Sequence, residues 1–314
     1  MAITDHRLGW IGTGRMGYPL AARLLKGGCD VAVYNRTRSK AEPLAQLGAQ
    51  VVDAPAEMAD RDIVFTMVAG SDDFTEVTLG RQGLFSKNGT APDIVIDSST
   101  VSTESSEKVR EHAAKVGSAL LAAPVSGNPK VVKAGRLTFA VSGPHEAFDV
   151  ARPYLEMLGA GVSYVGDAEL SRLVKICHNL FLGTVTQSLA EITVLAEKGG
   201  VPRHMFLDFL NKSVMGSTFT RYKTPALVNL DLTPTFTSEL LLKDFDLGLA
   251  AAKELRVPLP VAAAVRELVM GLIARGMADI DFAALLKTQA EASGLELEAE
   301  NVDVADGLQR KEGE

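Results

Sequence analysis

Near its start the chain carries Gly12-Thr13-Gly14-Arg15-Met16-Gly17, three glycines in the spacing G-x-G-x-x-G. A short apolar run, Leu8–Ile11, leads into the turn, and a helical pattern with Met16, Leu20 and Leu24 on one face leads out of it. In that context the first glycine permits a tight turn. The second lets the backbone approach a pyrophosphate, and the third allows close packing of helix on strand. The helix N-terminus then offers unpaired N–H groups to an anion. A lone motif of this kind is weak evidence, but the strand and helix it requires are both legible here. Gly12, Gly14, Arg15, Met16 and Gly17 are therefore candidate dinucleotide-binding residues.

The first half alternates strand-like and helix-like segments. Apolar runs at Leu8–Ile11, Val31–Tyr34, 63–67, 94–96 and 120–123 are short and bounded by Gly, Asp, Asn or Pro. Helical stretches at 16–26 and 103–116 lie between them. Alternation of this sort builds βαβ units and a parallel sheet. The second half has almost no strand signal. Leu170–Lys198 reads as one long helix, interrupted by little except Gly183, and shorter helical patterns follow at 204–211, 239–254, 261–274 and 282–292. The expected fold is an α/β N-terminal Rossmann domain, residues 1–166, plus an all-α C-terminal domain, residues 167–294, joined by the long helix. Residues 295–314, rich in Glu and Asp, are expected to form a disordered tail that catalysis does not need.

A chain of 314 residues accommodates two cores. The formal net charge of -7 argues against non-specific nucleic-acid binding. No apolar run reaches the roughly 20 residues of a membrane-spanning helix. Strand pattern begins almost at once, which leaves no room for a signal peptide, and Cys29 and Cys177 lack metal or disulfide-framework spacing. These features predict a cytoplasmic protein with no metal, no membrane and no nucleic-acid partner. The long helix and large helical half point to a homo-oligomer, a dimer or a tetramer.

The end of the second strand bears on which dinucleotide binds. An NAD site usually places a carboxylate there for the ribose 2′-OH. This chain has Asn35-Arg36-Thr37 instead. Arg36 can pair bidentately with a 2′-phosphate and Thr37 can donate a hydrogen bond, which predicts NADP over NAD. The alternative for Arg36 is a solvated surface charge.

Four ordered segments together resemble the β-hydroxyacid dehydrogenase family, the 3-hydroxyisobutyrate dehydrogenases with tartronate semialdehyde and glyoxylate/succinic semialdehyde reductases. They are the glycine turn with Asn35-Arg36-Thr37; Asp97-Ser98-Ser99-Thr100; Ala123-Pro124-Val125-Ser126-Gly127 with Gly135 and Leu137-Thr138 beyond; and Gly166 followed by Lys175 and Asn179. Lys243-Asp244 adds a fifth in the helical half, and the resemblance spans about residues 8–286. It implies hydride transfer between a nicotinamide and a small β-hydroxy acid or its semialdehyde. It also implies that Ser126 and Gly127 grip a substrate carboxylate, that Val68 and Thr100 lie near the cofactor, and that Lys243 reaches it. Thr100 could equally cap the following helix.

Lys175 and Asn179 form the catalytic pair that the resemblance implies. Four residues apart on a helix, they share a face. Reducing a carbonyl builds negative charge on oxygen, which a lysine can protonate while an amide holds the lysine or the oxygen. Burial in a cleft between domains is the expected setting for such a group. The chain departs from the family at three places. Ser-Gly-Gly becomes Ser126-Gly127-Asn128, Asn-Asn becomes His178-Asn179, and Leu-Pro becomes Val68-Ala69. Asn128 is accordingly a candidate substrate contact that shifts specificity. His178 is read as a packed helix residue, with a second proton-transfer group as the alternative. Competing readings are an imine reductase on the same scaffold, a non-catalytic nucleotide-sensing module, and a 6-phosphogluconate dehydrogenase. Lys175 argues against the first two, and the modest helical half against the third.

Overall fold

The computed structural model of the protein describes residues 5–87 and 89–308. Its elements run β1 (Leu8–Ile11), α1 (Gly17–Lys26), β2 (Val31–Tyr34), β3 (Gln50–Val51), β4 (Ile63–Thr66), α2 (Ser71–Leu79), β5 (Ile94–Asp97), α3 (Thr103–Lys115) and β6 (Ala119–Ala122). There follow β7 (Val125–Ser126), α4 (Pro129–Lys133), β8 (Thr138–Ser142), α5 (His145–Leu158) and β9 (Gly161–Gly166). The remainder is helical: α6 (Leu170–Lys198), α7 (Arg203–Lys212), α8 (Thr218–Asn229), α9 (Ser238–Leu255), α10 (Pro260–Ala274) and α11 (Leu285–Ala292). The chain forms two compact units, Met1–Lys175 and Ile176–Glu314. The division falls within α6, nine residues beyond Gly166, where β9 ends.

The first unit is built on one nine-stranded sheet in the order β3-β2-β1-β4-β5-β6-β8-β7, with β9 on β8. The six strands β1 to β6 pair in parallel. Core residues lie on both faces. Leu20 and Leu24 of α1 pack with Phe148, Ala151 and Leu155 of α5 on one face, while Phe74 of α2 packs with Val109 and Ala113 of α3 on the other. Burial on both faces explains why β1, β4 and β5 read as unbroken apolar runs. The order 3-2-1-4-5-6 places a crevice at the carboxyl ends of β1 and β4, where connections leave the sheet in opposite directions and open α/β sheets bind ligands.

In the second unit α7 to α11 pack with the continuation of α6 around Leu207, Leu227, Leu241, Phe245 and Phe282. Gly183 has a packing reason: a Cβ there would meet the Phe245 ring at 2.3 Å, so the missing side chain lets α6 and α9 approach. Gly248 does the same opposite Leu180. Arg203, 1% exposed, donates to the Leu227 and Val228 carbonyls at 3.0 and 2.9 Å, satisfying the last turn of α8. Among the described residues no helix is long and apolar enough to cross a membrane.

The acidic C-terminal segment corrects the sequence reading. Residues 295–308 form neither helix nor strand but pack against the second unit through Leu295, Leu297, Val302 and Val304. Leu308 is buried. Glu300 accepts hydrogen bonds from the Arg203 and His204 backbone N–H groups at 2.7 and 3.0 Å and lies 2.8 Å from His204 Nδ1. It thereby closes the N-terminus of α7. Asn229 donates to the Val302 carbonyl, and Arg203 also binds the Glu298 carbonyl. Composition counted the acids; the structure uses one of them as a helix cap. Residues 309–314 lie outside the described residues.

Burial alone pushes the Glu300 carboxyl up, but bonds from His204 and Arg203 bring it below the ordinary glutamate range. A depressed carboxyl stabilises the fold above its unfolded value of about 4.3 and loses that contribution as pH falls through the folded value. Glu300→Ala should therefore cost about 1–3 kcal/mol at pH 7. The gap to wild type should shrink as pH drops below about 4. Thermal unfolding of both proteins across pH checks this; equal melting at pH 7 contradicts the packed tail.

Candidate active site

The glycine turn lies between β1 and α1. Gly12 has φ +96°, and a Cβ on it would sit 2.2 Å from the Met67 carbonyl oxygen. A Cβ on Gly17 would sit 1.9 Å from the Gly12 carbonyl oxygen. Both glycines are required by the fold itself. Gly14 differs: a Cβ there would meet nothing within 4 Å. The fold does not need that glycine, so the space above it suits a ligand. No side chain caps α1 and no acid occupies its first turn. Thr13 is buried, and its hydroxyl has no hydrogen-bond partner. A pocket of about 730 Å³ opens beside the turn, lined by Thr13, Gly14 and Arg15 and by Arg23, Lys26, Lys40 and Lys133. In a chain of net charge -7, that local concentration of cations suits the phosphates of a dinucleotide.

At the end of β2, Asn35 serves the turn directly. Its Oδ1 accepts from the Thr13 N–H at 2.9 Å and its Nδ2 donates to the Thr37 carbonyl at 3.0 Å. Asn35 thus ties two loops together. Arg36 reaches solvent, 82% exposed at the side chain, and pairs with Asp73 of α2 at 2.8 Å. Thr37 precedes the turn at Arg38–Lys40 without a side-chain cap bond. The Val68 N–H donates to the Ser99 hydroxyl at 2.9 Å, which brings the β4 and β5 ends together. Thr100 is partly exposed beyond β5. It does not cap α3: Ser102 does, accepting from the Ser105 N–H.

A buried network missed from sequence holds the start of α6. Asp97, fully buried, accepts from Thr66 Oγ1 at 2.7 Å, from the Ser99 N–H and hydroxyl, and from Arg172 Nη2 at 2.8 Å. Arg172 also donates to Glu169 at 2.8 Å and to the Ser99 carbonyl at 3.1 Å. Glu169 binds Arg110 in turn, at 2.7 Å, and Arg110 donates to the Leu120 and Ala168 carbonyls. Two carboxylates and two guanidinium groups alternate, so charge balances and nearly every donor is used. Ser171 adds a second anchor, donating to the Ala122 carbonyl at 2.8 Å, while its N–H binds Ser142 Oγ at 3.1 Å. Lys175 follows one turn later, half-buried. The signal available in sequence was the pattern of Asp97 ending an apolar strand and Arg172 on a helix; nothing in their spacing linked them.

Ser126 ends β7 and is half-buried, and Gly127 follows exposed with φ +138°. Asn128, 7% exposed, caps α4: its Oδ1 accepts from the Lys130 and Val131 N–H groups at 3.0 and 3.1 Å. Its Nδ2 has no hydrogen-bond partner. In the second unit Asn179 donates to Asp244 Oδ2 at 2.6 Å and its Oδ1 lies 2.8 Å from His178 Nδ1. Lys243 is exposed on α9 beside buried Asp244. No group of metal-ligand side chains occurs among the described residues.

A parallel sheet in this order with this glycine turn defines a nicotinamide-dinucleotide-binding Rossmann domain, and the helical second unit is the other half of an oxidoreductase. Residues 7–166 match the family described as the NAD binding domain of 6-phosphogluconate dehydrogenase. Residues 171–289 match the NAD-binding domain of NADP-dependent 3-hydroxyisobutyrate dehydrogenase. The chain belongs to the β-hydroxyacid dehydrogenase family, NAD(P)-dependent oxidoreductases acting on CH–OH groups. Glyoxylate/succinic semialdehyde reductase 2 of Arabidopsis thaliana is 31% identical, covering 92% of this chain and 81% of its own. The 3-hydroxyisobutyrate dehydrogenase of Pseudomonas aeruginosa is 32% identical over 83% of this chain and 90% of its own. The crystal structure of 3-hydroxyisobutyrate dehydrogenase from Salmonella typhimurium is 26% identical with a TM-score of 0.79, covering 90% of this chain and 100% of that one.

The three glycines predict different failures. Gly14→Ala should unfold at the wild-type temperature yet bind NAD(P)H at least about 10-fold more weakly, because its methyl group enters ligand space alone. Gly17→Ala should lose stability outright, its Cβ overlapping backbone. Fluorescence titration with NAD(P)H and thermal unfolding check both; wild-type cofactor affinity in Gly14→Ala would place the pyrophosphate elsewhere.

Proposed function

We propose that the protein transfers a hydride between NADP(H) and a small β-hydroxy acid or its semialdehyde, with Lys175 as general acid in reduction and general base in oxidation. The observation that carries this reading is the anchoring of α6 by Ser171 and Arg172, which fixes the turn before Lys175. The bound nicotinamide supplies or accepts the hydride. Ser126 and the Gly127 backbone take the substrate carboxylate, beside Asn128, whose side-chain oxygen caps α4. Lys175 Nζ gives its proton to the carbonyl oxygen as charge builds there, or removes the hydroxyl proton in the reverse direction. Asn179 holds the same oxygen through its amide. Val68 and Thr100 would lie near the bound cofactor, and Lys243 would reach it from the helical unit. The proteins named for glyoxylate, succinic semialdehyde and 3-hydroxyisobutyrate share a carboxylate beside the reacting carbon, and we extend that substrate class to this chain.

Preference for NADP(H) rests on Asn35-Arg36-Thr37. Arg36 is exposed and pairs with Asp73, so a 2′-phosphate would exchange that partner for a doubly charged one. The assignment to a homo-oligomer is supported by Phe181 and Leu195 on α6 and Phe209 on α7, large apolar side chains that the chain leaves exposed.

Lys175→Ala should lower kcat by about 10²–10⁴-fold while leaving NADPH affinity near wild type. Turnover near wild type would remove the lysine from the chemistry, and joint loss of binding and turnover would make it a cofactor-positioning group. Steady-state kinetics should also favour NADPH over NADH by about 10- to 100-fold in kcat/KM; equal use of the two would return Arg36 to the role of a surface charge.

A further inference from the structure

Both ends of the Asn179 carboxamide are engaged. Nδ2 donates to Asp244 Oδ2 at 2.6 Å, and Oδ1 lies 2.8 Å from His178 Nδ1. Asn179 and Asp244 are 2% and 3% exposed, so the contact between them is shielded from solvent, while His178 is half-buried. Nδ2 is the end that meets Asp244, and Oδ1 the end that meets His178, the arrangement that suits an ionised carboxylate, which only accepts. An amide oxygen also only accepts, so His178 Nδ1 must carry a proton. One chain of contacts thus fixes the flip of an amide and the tautomer of an imidazole.

We propose that His178 is a positioning residue: by donating Nδ1–H to Asn179 Oδ1 it completes, with Asp244, a clamp that holds the amide in the one orientation in which its second N–H serves the reacting oxygen. This deepens the proposed function and rests on its assignment of Lys175 and Asn179. The terminal torsion of asparagine is broad. Asp244 alone leaves the amide plane free to rock about that torsion; a second anchor on the oxygen removes the freedom. The clamp lies wholly on α6 and α9, which Gly183 and Gly248 allow to approach closely. His178 replaces the first asparagine of the Asn-Asn that the family usually carries. The replacement is chemically conservative in one respect: an Asn side chain puts its Nδ2 at the same bond count from Cβ as imidazole Nδ1, so either residue can donate to the same oxygen. Glutamine places its donor one bond farther out.

The test uses three variants of the full chain, His178→Ala, His178→Asn and His178→Gln, with NADPH binding, KM and kcat measured for each. His178→Ala should lose about 10- to 100-fold in kcat with little change in NADPH affinity, the signature of a misplaced group acting on the transition state. His178→Asn should recover to within about threefold of wild type, whereas His178→Gln should not. A residue that merely packs would not separate the Asn variant from the Gln variant. Nitrogen-15 spectra of histidine-labelled wild-type protein at pH 8 supply a readout independent of activity and of variant folding, and should show the neutral tautomer protonated at Nδ1. Wild-type turnover in His178→Ala, equal damage in the Asn and Ala variants, or a proton on Nε2 would each overturn the clamp. Lys175→Ala keeps the two claims apart: undiminished turnover there sinks the proposed function, while the spectra still decide the state of His178.

Discussion

The buried contact between Arg172 and Asp97 decides where α6 begins, and with it where Lys175 stands. Asp97 closes β5 at the carboxyl edge of the sheet, where it collects hydrogen bonds from Thr66 and Ser99 before Arg172 arrives. Arg172 also donates to Glu169, which accepts from Arg110 in turn, and Arg110 donates to the carbonyls of Leu120 and Ala168. Removing one member would strand a charge in a site without water, a loss of about 3–5 kcal/mol, although an apolar replacement of the whole set could be neutral. What the set provides is position. A helix held only by apolar contacts could slide or rotate; one tied by a guanidinium fork and by Ser171 cannot without breaking buried bonds.

The cofactor end is built on a different logic. Gly12 and Gly17 are fixed by backbone oxygens that leave no room for a Cβ, while Gly14 faces open space. Asn35 takes up the Thr13 N–H and joins the turn to the end of β2. The turn is thus close-packed at Gly12 and Gly17 and open at Gly14. The cations around it belong to the turn itself, α1, α4 and the turn after β2, which the sheet brings together from distant stretches of chain.

The strongly apolar strands β1, β2, β4, β5 and β6 and the long helix α6 were legible because each is long enough or buried enough to carry its own periodicity. The two-residue strands β3 and β7 were not, nor were β8 and β9, where exposed residues interrupt the pattern. Helices α5 and α8 were hidden by internal prolines, Pro153 and Pro225, that tertiary packing tolerates. The acidic segment misled because composition cannot show that Leu295, Leu297, Val302 and Val304 recur at spacings that cover a core. At the site, the packing demands on Gly12 and Gly17 were readable in the sequence; the roles of Arg36 and Lys175 are proposals that rest on the motif. The partners were not: Arg172 lies 75 residues from Asp97, and Asp244 65 from Asn179, separations that only the fold closes. Asn128 is instructive for the same reason. Its place in the motif suggested a substrate contact, and the structure adds a helix cap to it.

In the proposed reaction, hydride moves to a carbonyl carbon beside a carboxylate while the oxygen takes its proton from the protein. Turnover of small semialdehyde acids with NADPH carrying deuterium at the transferable position of the nicotinamide ring measures this directly. The account predicts one deuterium in the product, on the carbon that bears the new hydroxyl, with the hydroxyl proton exchanging with solvent. Cofactor oxidation without deuterium in the product, or transfer to imine carbons alone, would contradict it.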